Sequence, residues 1–525
     1  MTDNQAGALA ASDAPTGPKR EILIVLPGLL LTLIIAMLDQ LVVSTALPRI
    51  VGDLGGLNHL AWVVTAYILA STITTLFYGK LGDMYGRKRF LMIAIVLFLI
   101  GSALSGLAHS MDQLIAFRAL QGLGAGGLMV GAIATIGDMV SPRERGQYMG
   151  YMMAAMMVAM IAGPLVGGYI TQHWSWRWIF YINMPIGGAA LVYLWATLHL
   201  PRKRVEHKID YLGAAVIAIF STAIVLLTSW GGSQYAWGSW EILMLAGISL
   251  VSLIAFFFVE ARAAEPMLPL RVFTSRNFSL ASGMSLLLGM AMLGALTFLP
   301  LYQQTVQHLS PTGSGLALIP LMLGSTVTSL ISGQVTSKTG RYKILPIIGA
   351  VIMTGAIFLL THVGVDTGRL TTGIYFAVLG IGMGFLMQIT SLIAQNSVPQ
   401  RDMGVASSSR SFFQQIGGSL GVSLFGVIFF RKFSGTMTSL LHGHAAVKGN
   451  SGSLDPATIN NMPTLIKDAA FYAISHAISN VFWWTIPVTV AVFVLALFVK
   501  EIPLRGRIEP TPEQAPAEPE LVPGA

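Results

Sequence analysis

Apolar runs of about 17–25 residues recur along almost the whole chain of 525 residues, and that is the length an α-helix needs to cross a bilayer. Hydrophobic residues make up 54% of the chain and charged residues only 10%, far below the ~25% charged residues of soluble domains. We therefore predict an all-α membrane protein and not a soluble domain.

Fourteen of these runs are predicted to cross the membrane. They cover residues 23–46, 61–80, 90–108, 114–136, 148–170, 179–198, 211–229, 241–259, 278–300, 313–334, 344–362, 371–393, 404–429 and 479–499. The first run lacks a small-residue cleavage site, so we expect a retained span and not a signal peptide.

The distribution of basic residues predicts how the spans are oriented. Of the 31 Lys and Arg residues, 22 fall in the N-terminal tail, the loops after even-numbered spans, or the C-terminal tail. Short loops rich in Lys and Arg stay cytoplasmic, so both termini are predicted to be cytoplasmic. Arg431 and Lys432 break the pattern, but they begin a long loop, where this rule is weak. The net charge of +8 therefore reflects topology and does not support nucleic-acid binding.

Two short motifs occur once in each half of the chain. Residues 79–89 (GKLGDMYGRKR) align with residues 333–343 (GQVTSKTGRYK) at an offset of 254, and residues 138–146 align with 396–404 at an offset of 258. Nearly equal offsets indicate duplicated six-span halves that can rock about a central cavity. The alternative is a chance similarity between Gly-rich basic turns.

These observations divide the chain into five segments. They are a cytoplasmic tail (1–20), a six-helix bundle (21–200), two inserted membrane helices (201–270), a second six-helix bundle (271–504) with a long external loop at 432–475, and a tail (505–525). The last tail is rich in Pro and Glu, a composition typical of disordered segments.

Three motifs carry a resemblance to a known family. GKLGDMYGRKRF follows the second span, FRALQGLGAG (117–126) lies in the fourth, and AGPLVGGYI (162–170) ends the fifth. Over nearly all its membrane region the chain resembles the fourteen-span drug:proton antiporters of the major facilitator superfamily, the EmrB/QacA type. The resemblance implies a major facilitator fold of two six-helix bundles plus two inserted helices, in a bacterial cytoplasmic membrane.

The same resemblance implies export of lipophilic drugs or antibiotics in exchange for protons, by alternating access. A proton gradient would supply the energy, so no cofactor, metal or catalytic residue is expected. The expected partners are lipophilic small molecules, protons and the bilayer, and we expect a monomer. Related exporters of double-membraned bacteria work with an envelope adaptor, which makes the external loop a candidate docking segment.

Asp39 is the one carboxylate well inside a predicted span of the first half. Burial favours the neutral form of a carboxyl group, so such a residue can take up a proton on one side and release it on the other. The alternative is a structural Asp that hydrogen-bonds Thr32, Ser44 or a neighbouring helix. Arg118, inside the fourth span, needs acceptors. The resemblance places it near the proton site, whereas the alternative is a side chain that snorkels outward.

A conformational latch is predicted at the cytoplasmic ends of spans two to four, formed by Gly79, Asp83, Gly86, Arg87 and Asp138. Asp83 and Arg87 are four residues apart and face each other if the helix continues. The resemblance implies that Asp83 meets the helix N-terminus near residues 402–407, and that Arg87 pairs with Asp138. The alternative is a solvated basic turn.

The antiporter-type motif of the fifth span comprises Gly163, Pro164, Gly167 and Gly168. Proline removes a backbone hydrogen bond and kinks a helix, and glycines let helices approach closely. The motif therefore serves gating, helix packing, or both.

Four residues are candidates for lining a substrate cavity: Met156, Gln388, Arg410 and Gln414. Methionine adapts to variable apolar ligands, although the methionines of this span could equally face lipid. A permanent cation at Arg410 would disfavour strongly cationic substrates.

Other functions find less support in the sequence. It has no cysteine, no phosphate-binding loop and no metal-ligand spacing, which disfavours an enzyme or an ATP-driven pump. A proton-coupled symporter for uptake and a non-transporting membrane sensor remain as alternatives.

Overall fold

The computed structural model describes residues 18–54, 60–140, 142–199, 210–232, 234–263, 266, 268–309, 311–440 and 464–504. Within these ranges the chain is helical and contains no strand. The α-helices are α1 (Pro18–Leu54), α2 (Leu60–Tyr85), α3 (Arg87–Gly106), α4 (Met111–Met139), α5 (Pro142–His173), α6 (Trp178–Tyr181), α7 (Asn183–Thr197), α8 (Tyr211–Trp230), α9 (Trp240–Arg262), α10 (Arg276–Thr305), α11 (Pro311–Ala317), α12 (Ile319–Thr339), α13 (Ile344–Leu360), α14 (Arg369–Asn396), α15 (Met403–Leu440) and α16 (Thr464–Leu497).

The apolar runs of the sequence form membrane-length helices. Among the described residues, 12 helical stretches are long and apolar enough to cross a membrane. Two shorter apolar helices, Leu212–Thr228 and Ile344–Leu360, lie where the seventh and eleventh spans were predicted. The all-α, multi-pass membrane architecture is therefore confirmed, and the count of fourteen spans stays a prediction.

The connection between the last two helices is shorter than predicted. The sequence suggested a loop at 432–475, but α15 runs on to Leu440 and α16 begins at Thr464. Phe429, Phe433 and Met437 are spaced four residues apart and are buried, so one apolar face continues past the predicted helix end. Residues 441–463, the middle of the predicted loop, lie outside the described ranges, as do both terminal tails (1–17 and 505–525).

Helix pairings repeat between the first half (α1–α7) and the second half (α10–α16). In the first half α4 packs against α2 and α3, and α1 packs against α5 and α7. In the second half α14 packs against α12 and α13, and α10 packs against α15 and α16. The halves meet through two equivalent pairs, α2 with α15 and α5 with α12. The predicted duplication therefore has a counterpart in the packing.

Glycines at equivalent positions of the two halves permit close helix contacts. A side chain at any of them would run into the backbone of the neighbouring helix, so only glycine permits the approach. The contacts are Gly122 with Tyr67, Gly126 with Ser71, Gly380 with Leu321 and Gly384 with Ser325. The glycines are offset by 258 and their neighbours by 254, the offsets of the two sequence motifs.

The inserted pair packs beside the two halves. Helix α8 packs against α9 and also contacts α2 and α15. Ile217 and Phe220 of α8 join an apolar cluster with Leu76 of α2 and Phe412 of α15. The inserted helices thus contact both halves on the side where α2 meets α15.

Candidate functional site

Asp39 lies on α1 and forms an ion pair with Arg118 of α4. The Nη1 atom of Arg118 donates to Asp39 Oδ2 at 2.6 Å. The side chain of Asp39 is 0% exposed and that of Arg118 is 1% exposed. The two residues are 79 positions apart in the chain, so the fold brings the buried acid and the buried base of the first half together.

Two neutral amide side chains also donate hydrogen bonds to Asp39. Gln121 Nε2 and Asn183 Nδ2 each donate to Asp39 Oδ1 at 2.8 Å. Asn183 also donates to Ser102 Oγ at 3.0 Å. All three polar residues are fully buried. We call Asp39, Arg118, Gln121, Asn183 and Ser102 the buried network.

Arg118 is held from several directions as well. Its Nη1 atom also donates to Gln121 Oε1 at 2.8 Å, and its Nε atom donates to the carbonyl of Val63 at 3.4 Å. The guanidinium lies 4.1 Å from the centre of the Tyr67 ring, a cation–π distance. The side chain therefore points into the bundle, and the outward-snorkelling alternative is wrong.

The buried network lies where α1 passes from one apolar cluster to another. Leu33, Ile35 and Ala36 belong to one cluster, and Leu38 and Val42 belong to the next. Apolar side chains thus flank Asp39 on both sides along its helix. Asp39 is fully buried and its carboxylate accepts three hydrogen bonds, so a proton from water reaches it only if the helices move.

Sequence reasoning missed Gln121, Asn183 and Ser102. Gln121 stands three residues after Arg118 within FRALQGLGAG, the spacing that places two side chains on one helix face. Asn183 is a single polar residue among apolar ones in FYINMPIG. Thr32, a possible partner of Asp39 in the alternative of a structural Asp, donates to the carbonyl of Gly28 at 2.8 Å.

The five latch residues lie where α2 and α4 end and α3 begins, close to the start of α15. Arg87 Nε donates to Asp138 Oδ2 at 2.7 Å, and Arg87 Nη2 donates to Asp83. Asp83 also accepts the backbone N–H groups of Gly404 at 3.2 Å and Val405 at 2.9 Å. A carboxylate of the first half therefore caps the N-terminus of a second-half helix, where the helix dipole favours negative charge.

The pairing of Asp83 with Arg87 does not use a continuous helix. Helix α2 ends at Tyr85 and α3 begins at Arg87. Gly86 between them has φ of 101°, a conformation that other residues rarely adopt. The turn at Gly86 brings Arg87 back toward Asp83. Gly340, its counterpart in the second half, has φ of 70°.

The contact between α2 and α15 continues away from the latch. Gly79 packs against Ser408, where a larger residue would clash. Farther along, Thr72 donates to Gln415 Oε1 at 3.0 Å, and Gln415 Nε2 donates to Thr75 at 3.3 Å. From Asp83 to Thr72 the two helices stay together over about 17 Å at 1.5 Å per residue. The bundle is therefore closed at the latch end.

The second-half copy of the latch loop makes different contacts. Tyr342 donates its backbone N–H to Glu501 Oε1 at 3.0 Å, and its hydroxyl accepts from the N–H of Ile502 at 3.0 Å. Asn396, the counterpart of Asp138, donates to the carbonyl of Ile502 at 3.5 Å. This copy is bonded to the C-terminal KEIPLR stretch, whereas the first-half copy connects the two bundles through Asp83.

The antiporter-type motif lies in α5, beside α1. Gly163 is buried against Leu41 of α1, where a side chain would clash. Gly167 is buried, and Gly168 has open space beside it. The side chain of Pro164 lies outside the described part of the structure. Close packing at Gly163 matches the packing interpretation, and the gating interpretation stays a prediction.

The four predicted cavity residues are spread over three helices. Met156 of α5 is half-buried and packs against the first-half core. Gln388 of α14 is buried and accepts a hydrogen bond from Ser332 of α12. Arg410 and Gln414 of α15 are bonded to each other, with Nη1 to Oε1 at 2.8 Å. Their role in substrate binding stays a prediction.

Residues 29–422 match the family model described as Major Facilitator Superfamily. This chain belongs to the major facilitator superfamily. The described side chains contain no cluster of three or more His, Cys, Asp or Glu able to hold a metal ion. As a member of a transporter family the chain is a multi-pass membrane protein for small-molecule substrates, which agrees with the expectation that it is not an enzyme.

Relatives of this major facilitator include named exporters. It is 33% identical over 514 residues to Multidrug resistance protein 3 of Bacillus subtilis, covering 95% of this chain and 99% of the relative. It is 36% identical over 423 residues to the multidrug transporter protein MdtP of the same organism, covering 81% of this chain and 78% of that relative. An uncharacterized MFS-type transporter of Mycobacterium tuberculosis, Rv1877, is 38% identical over 509 residues, covering 95% and 74%.

Solved structures agree on the fold. The human organic anion transporter MFSD10 superposes with a TM-score of 0.59 at 13% identity, covering 91% of this chain and 99% of that one. The proton:xylose symporter XylE superposes with a TM-score of 0.58 at 14% identity, covering 89% of this chain and 96% of that one. At these identities the likeness concerns the fold alone, and it confirms the major facilitator architecture expected from the sequence.

Proposed function

We propose that this major facilitator exports lipophilic drugs, antibiotics among them, in exchange for protons. The observation that carries the proposal is the fully buried ion pair of Asp39 and Arg118 inside the membrane region. A charged residue inside a membrane span is costly and marks an ion or proton pathway. The relatives named multidrug transporters support the substrate class, and the buried carboxylate supports proton coupling.

Protonation of Asp39 would weaken its ion pair with Arg118 in the buried network. A neutral carboxyl group holds Arg118 less tightly, and leaving a buried cation without its partner costs about 3–5 kcal/mol. Gln121 Oε1 already accepts from the same Nη1 atom, so it offers Arg118 an acceptor when Asp39 is neutral.

One charge crossing 100 mV releases about 2.3 kcal/mol, and every 1.4 kcal/mol supports a tenfold gradient. One proton per cycle is therefore enough for useful export.

Helix α4 provides a mechanical connection between the proton site and the latch. It carries Arg118 in the buried network and Asp138 in the latch, 20 residues or about 30 Å apart. A shift of α4 on protonation would move Asp138 relative to Arg87. In this proposal the proton site and the latch respond together, which is the requirement for alternating access.

The remaining parts of the proposal concern topology and assembly. We propose fourteen spans in a bacterial cytoplasmic membrane, with both termini cytoplasmic, because basic residues concentrate on that side. We propose a monomer powered by the proton gradient without a cofactor. The connection between α15 and α16 is the segment we propose for docking an envelope adaptor.

The test measures proton movement in liposomes that contain the purified protein and an internal pH-sensitive dye. Adding substrates from a broad panel of lipophilic drugs should move protons with the wild type. Asp39→Asn should abolish drug-driven proton movement while drug binding persists. The matched control is Asp53→Asn, since Asp53 lies on the same helix but is exposed and accepts a hydrogen bond from Trp176, outside the buried network. It should behave like the wild type.

Asp39→Asn leaves Arg118 without its counter-ion, so the protein could lose stability. The double variant Asp39→Asn with Arg118→Gln removes both charges and separates folding from coupling. Unchanged proton movement in a folded Asp39→Asn protein would place coupling elsewhere. No response of the wild type to any drug would favour the symporter or the sensor.

A further inference from the structure

Arg410 is a buried cation for which the structure provides no counter-ion. It lies on α15 and is 4% exposed. Its Nη1 atom donates to Gln414 Oε1 at 2.8 Å, and its Nε atom has no hydrogen-bond partner. No carboxylate of the described residues lies within ion-pair distance of it. Within the described ranges the other two buried arginines, Arg87 and Arg118, both have carboxylate partners.

This arrangement is unfavourable for the protein alone. A guanidinium carries five N–H donors and keeps its proton in proteins. Burying such a cation without a partner carries a large desolvation penalty, which is why buried charges are nearly always paired. The missing negative charge must therefore come from outside the described chain, and the binding of an anionic ligand would supply it.

Polar side chains share the helix face of Arg410 and the contact of α15 with α14. Gln395 of α14 donates to Ser407 of α15 at 3.1 Å, and Ser407, Arg410 and Gln414 share one helix face. Farther along α14, Gln388 accepts from Ser332 of α12. Buried polar atoms without a partner occur on all three helices. They are Ser329 Oγ and Thr336 Oγ1 on α12, Gln388 Nε2 and Thr390 Oγ1 on α14, and Arg410 Nε and Ser411 Oγ on α15.

We propose that Arg410 binds the carboxylate of a lipophilic substrate and makes this exporter selective for acidic compounds. The inference rests on the proposed function and names its substrate class. A carboxylate matches the planar, two-pronged geometry of a guanidinium. Gln414 holds the guanidinium from one side and directs its own Nε2 at the sulfur of Met292 on α10, at 3.9 Å. The polar subsite thus adjoins a polarizable thioether that suits an apolar ligand body.

The position of Arg410 relates the subsite to the latch. Arg410 is seven residues from Met403, the first residue of α15, or about 10 Å along the helix. The N–H groups of Gly404 and Val405 at that end bind Asp83. A substrate bound at Arg410 therefore contacts the helix whose first turn holds the latch closed.

The test compares three probes with the same pyrene ring: pyrenebutyrate, its methyl ester, and a pyrenylbutyl-trimethylammonium salt. Binding to the full protein in phosphatidylcholine nanodiscs is measured by energy transfer from tryptophan to pyrene. The wild type should bind pyrenebutyrate at least tenfold more tightly than the ester, and the cation least tightly. Arg410→Gln should lose at least tenfold in affinity for pyrenebutyrate and less than twofold for the ester.

Two further variants keep the test interpretable. Arg410→Lys retains a positive charge but not the two-pronged geometry, so it should retain part of the preference for the carboxylate. The matched control Arg369→Gln removes an exposed arginine at the start of α14 and should leave all three affinities unchanged. Without ligand, Arg410→Gln should unfold at the same or a higher temperature than the wild type, because it removes an unpaired buried charge.

Equal affinity of the wild type for pyrenebutyrate and its ester would overturn the inference, as would an unchanged preference in Arg410→Gln. Added phosphatidylglycerol that abolishes the preference at constant probe concentration would also overturn it, by assigning Arg410 to a lipid headgroup. Failure of the proposed function is a separate result. In that case no probe drives proton movement, while the dependence of pyrenebutyrate binding on Arg410 persists.

Discussion

Replacing Asp83 by Asn removes the charge of the latch carboxylate and keeps its shape. In the closed state Asp83 accepts two backbone N–H groups at the start of α15 and pairs with Arg87. A charge at a helix N-terminus contributes about 0.3–2 kcal/mol, and hydrogen bonds to charged groups exceed neutral ones by about 1 kcal/mol each. Arg87 keeps Asp138 as a partner, so no cation is left unpaired. We expect the closed state to lose about 2–2.8 kcal/mol.

A change of this size shifts the open fraction by about 30- to 100-fold, since each 1.4 kcal/mol is tenfold. The chain contains no cysteine, so a single Ser408→Cys reporter labels without background. Ser408 is buried against Gly79 in the closed latch, and its labelling by a maleimide requires opening. The labelling rate of the purified protein in nanodiscs should rise by the same 30- to 100-fold with Asp83→Asn.

The matched comparison is Asp138→Asn in the same reporter background. Asp138 is 26% exposed and bonds Arg87, whereas the N–H groups at the start of α15 bond Asp83, so we expect a rate increase of less than about fivefold. The reasoning is refuted if the two variants have equal effects, or if Asp83→Asn leaves the labelling rate unchanged.

Two further predictions concern a turn and an amide. Gly86→Ala places a side chain at φ of 101°, so it should destabilise the protein by about 1–2 kcal/mol and lower its thermal unfolding temperature. Gly168→Ala adds a side chain at an open position and should leave that temperature nearly unchanged. Asn183→Leu removes one of the three hydrogen bonds that Asp39 accepts, so drug-driven proton movement should be slower than in the wild type. Ser102→Ala removes a contact of Asn183 but none of Asp39 and should leave the rate unchanged.

The pairing of Asp39 with Arg118 could be anticipated from the sequence, whereas the rest of the buried network could not. An acid and a base buried in the same bundle each need a partner, so they are expected to meet. Neutral amides cost much less to bury, and the chain has others, including Gln388 and Gln395, at buried positions. Nothing in the spacing of Asn183 predicts that it reaches α1.

For the latch, the residues were predictable but the local structure was not. The four-residue spacing of Asp83 and Arg87 suggested one continuous helix, and the chain instead turns at Gly86. Glycine is compatible with both conformations, so the sequence alone does not decide between them. The extension of α15 was missed for a related reason. Its last turns are mostly polar, and only the burial of Phe433 and Met437 shows the face that packs.

Comparison of the two halves indicates which buried charges the fold itself requires. At the 258-residue offset Arg118 corresponds to Phe376 and Arg410 corresponds to Met152. Both counterparts are buried apolar residues in the cores of their own halves. The same helix packing therefore forms with an apolar residue at either position, and a well-packed apolar replacement of a buried charge is often neutral or stabilising. Folding demands neither cation, which is why we assign Arg118 to the proton and Arg410 to the substrate.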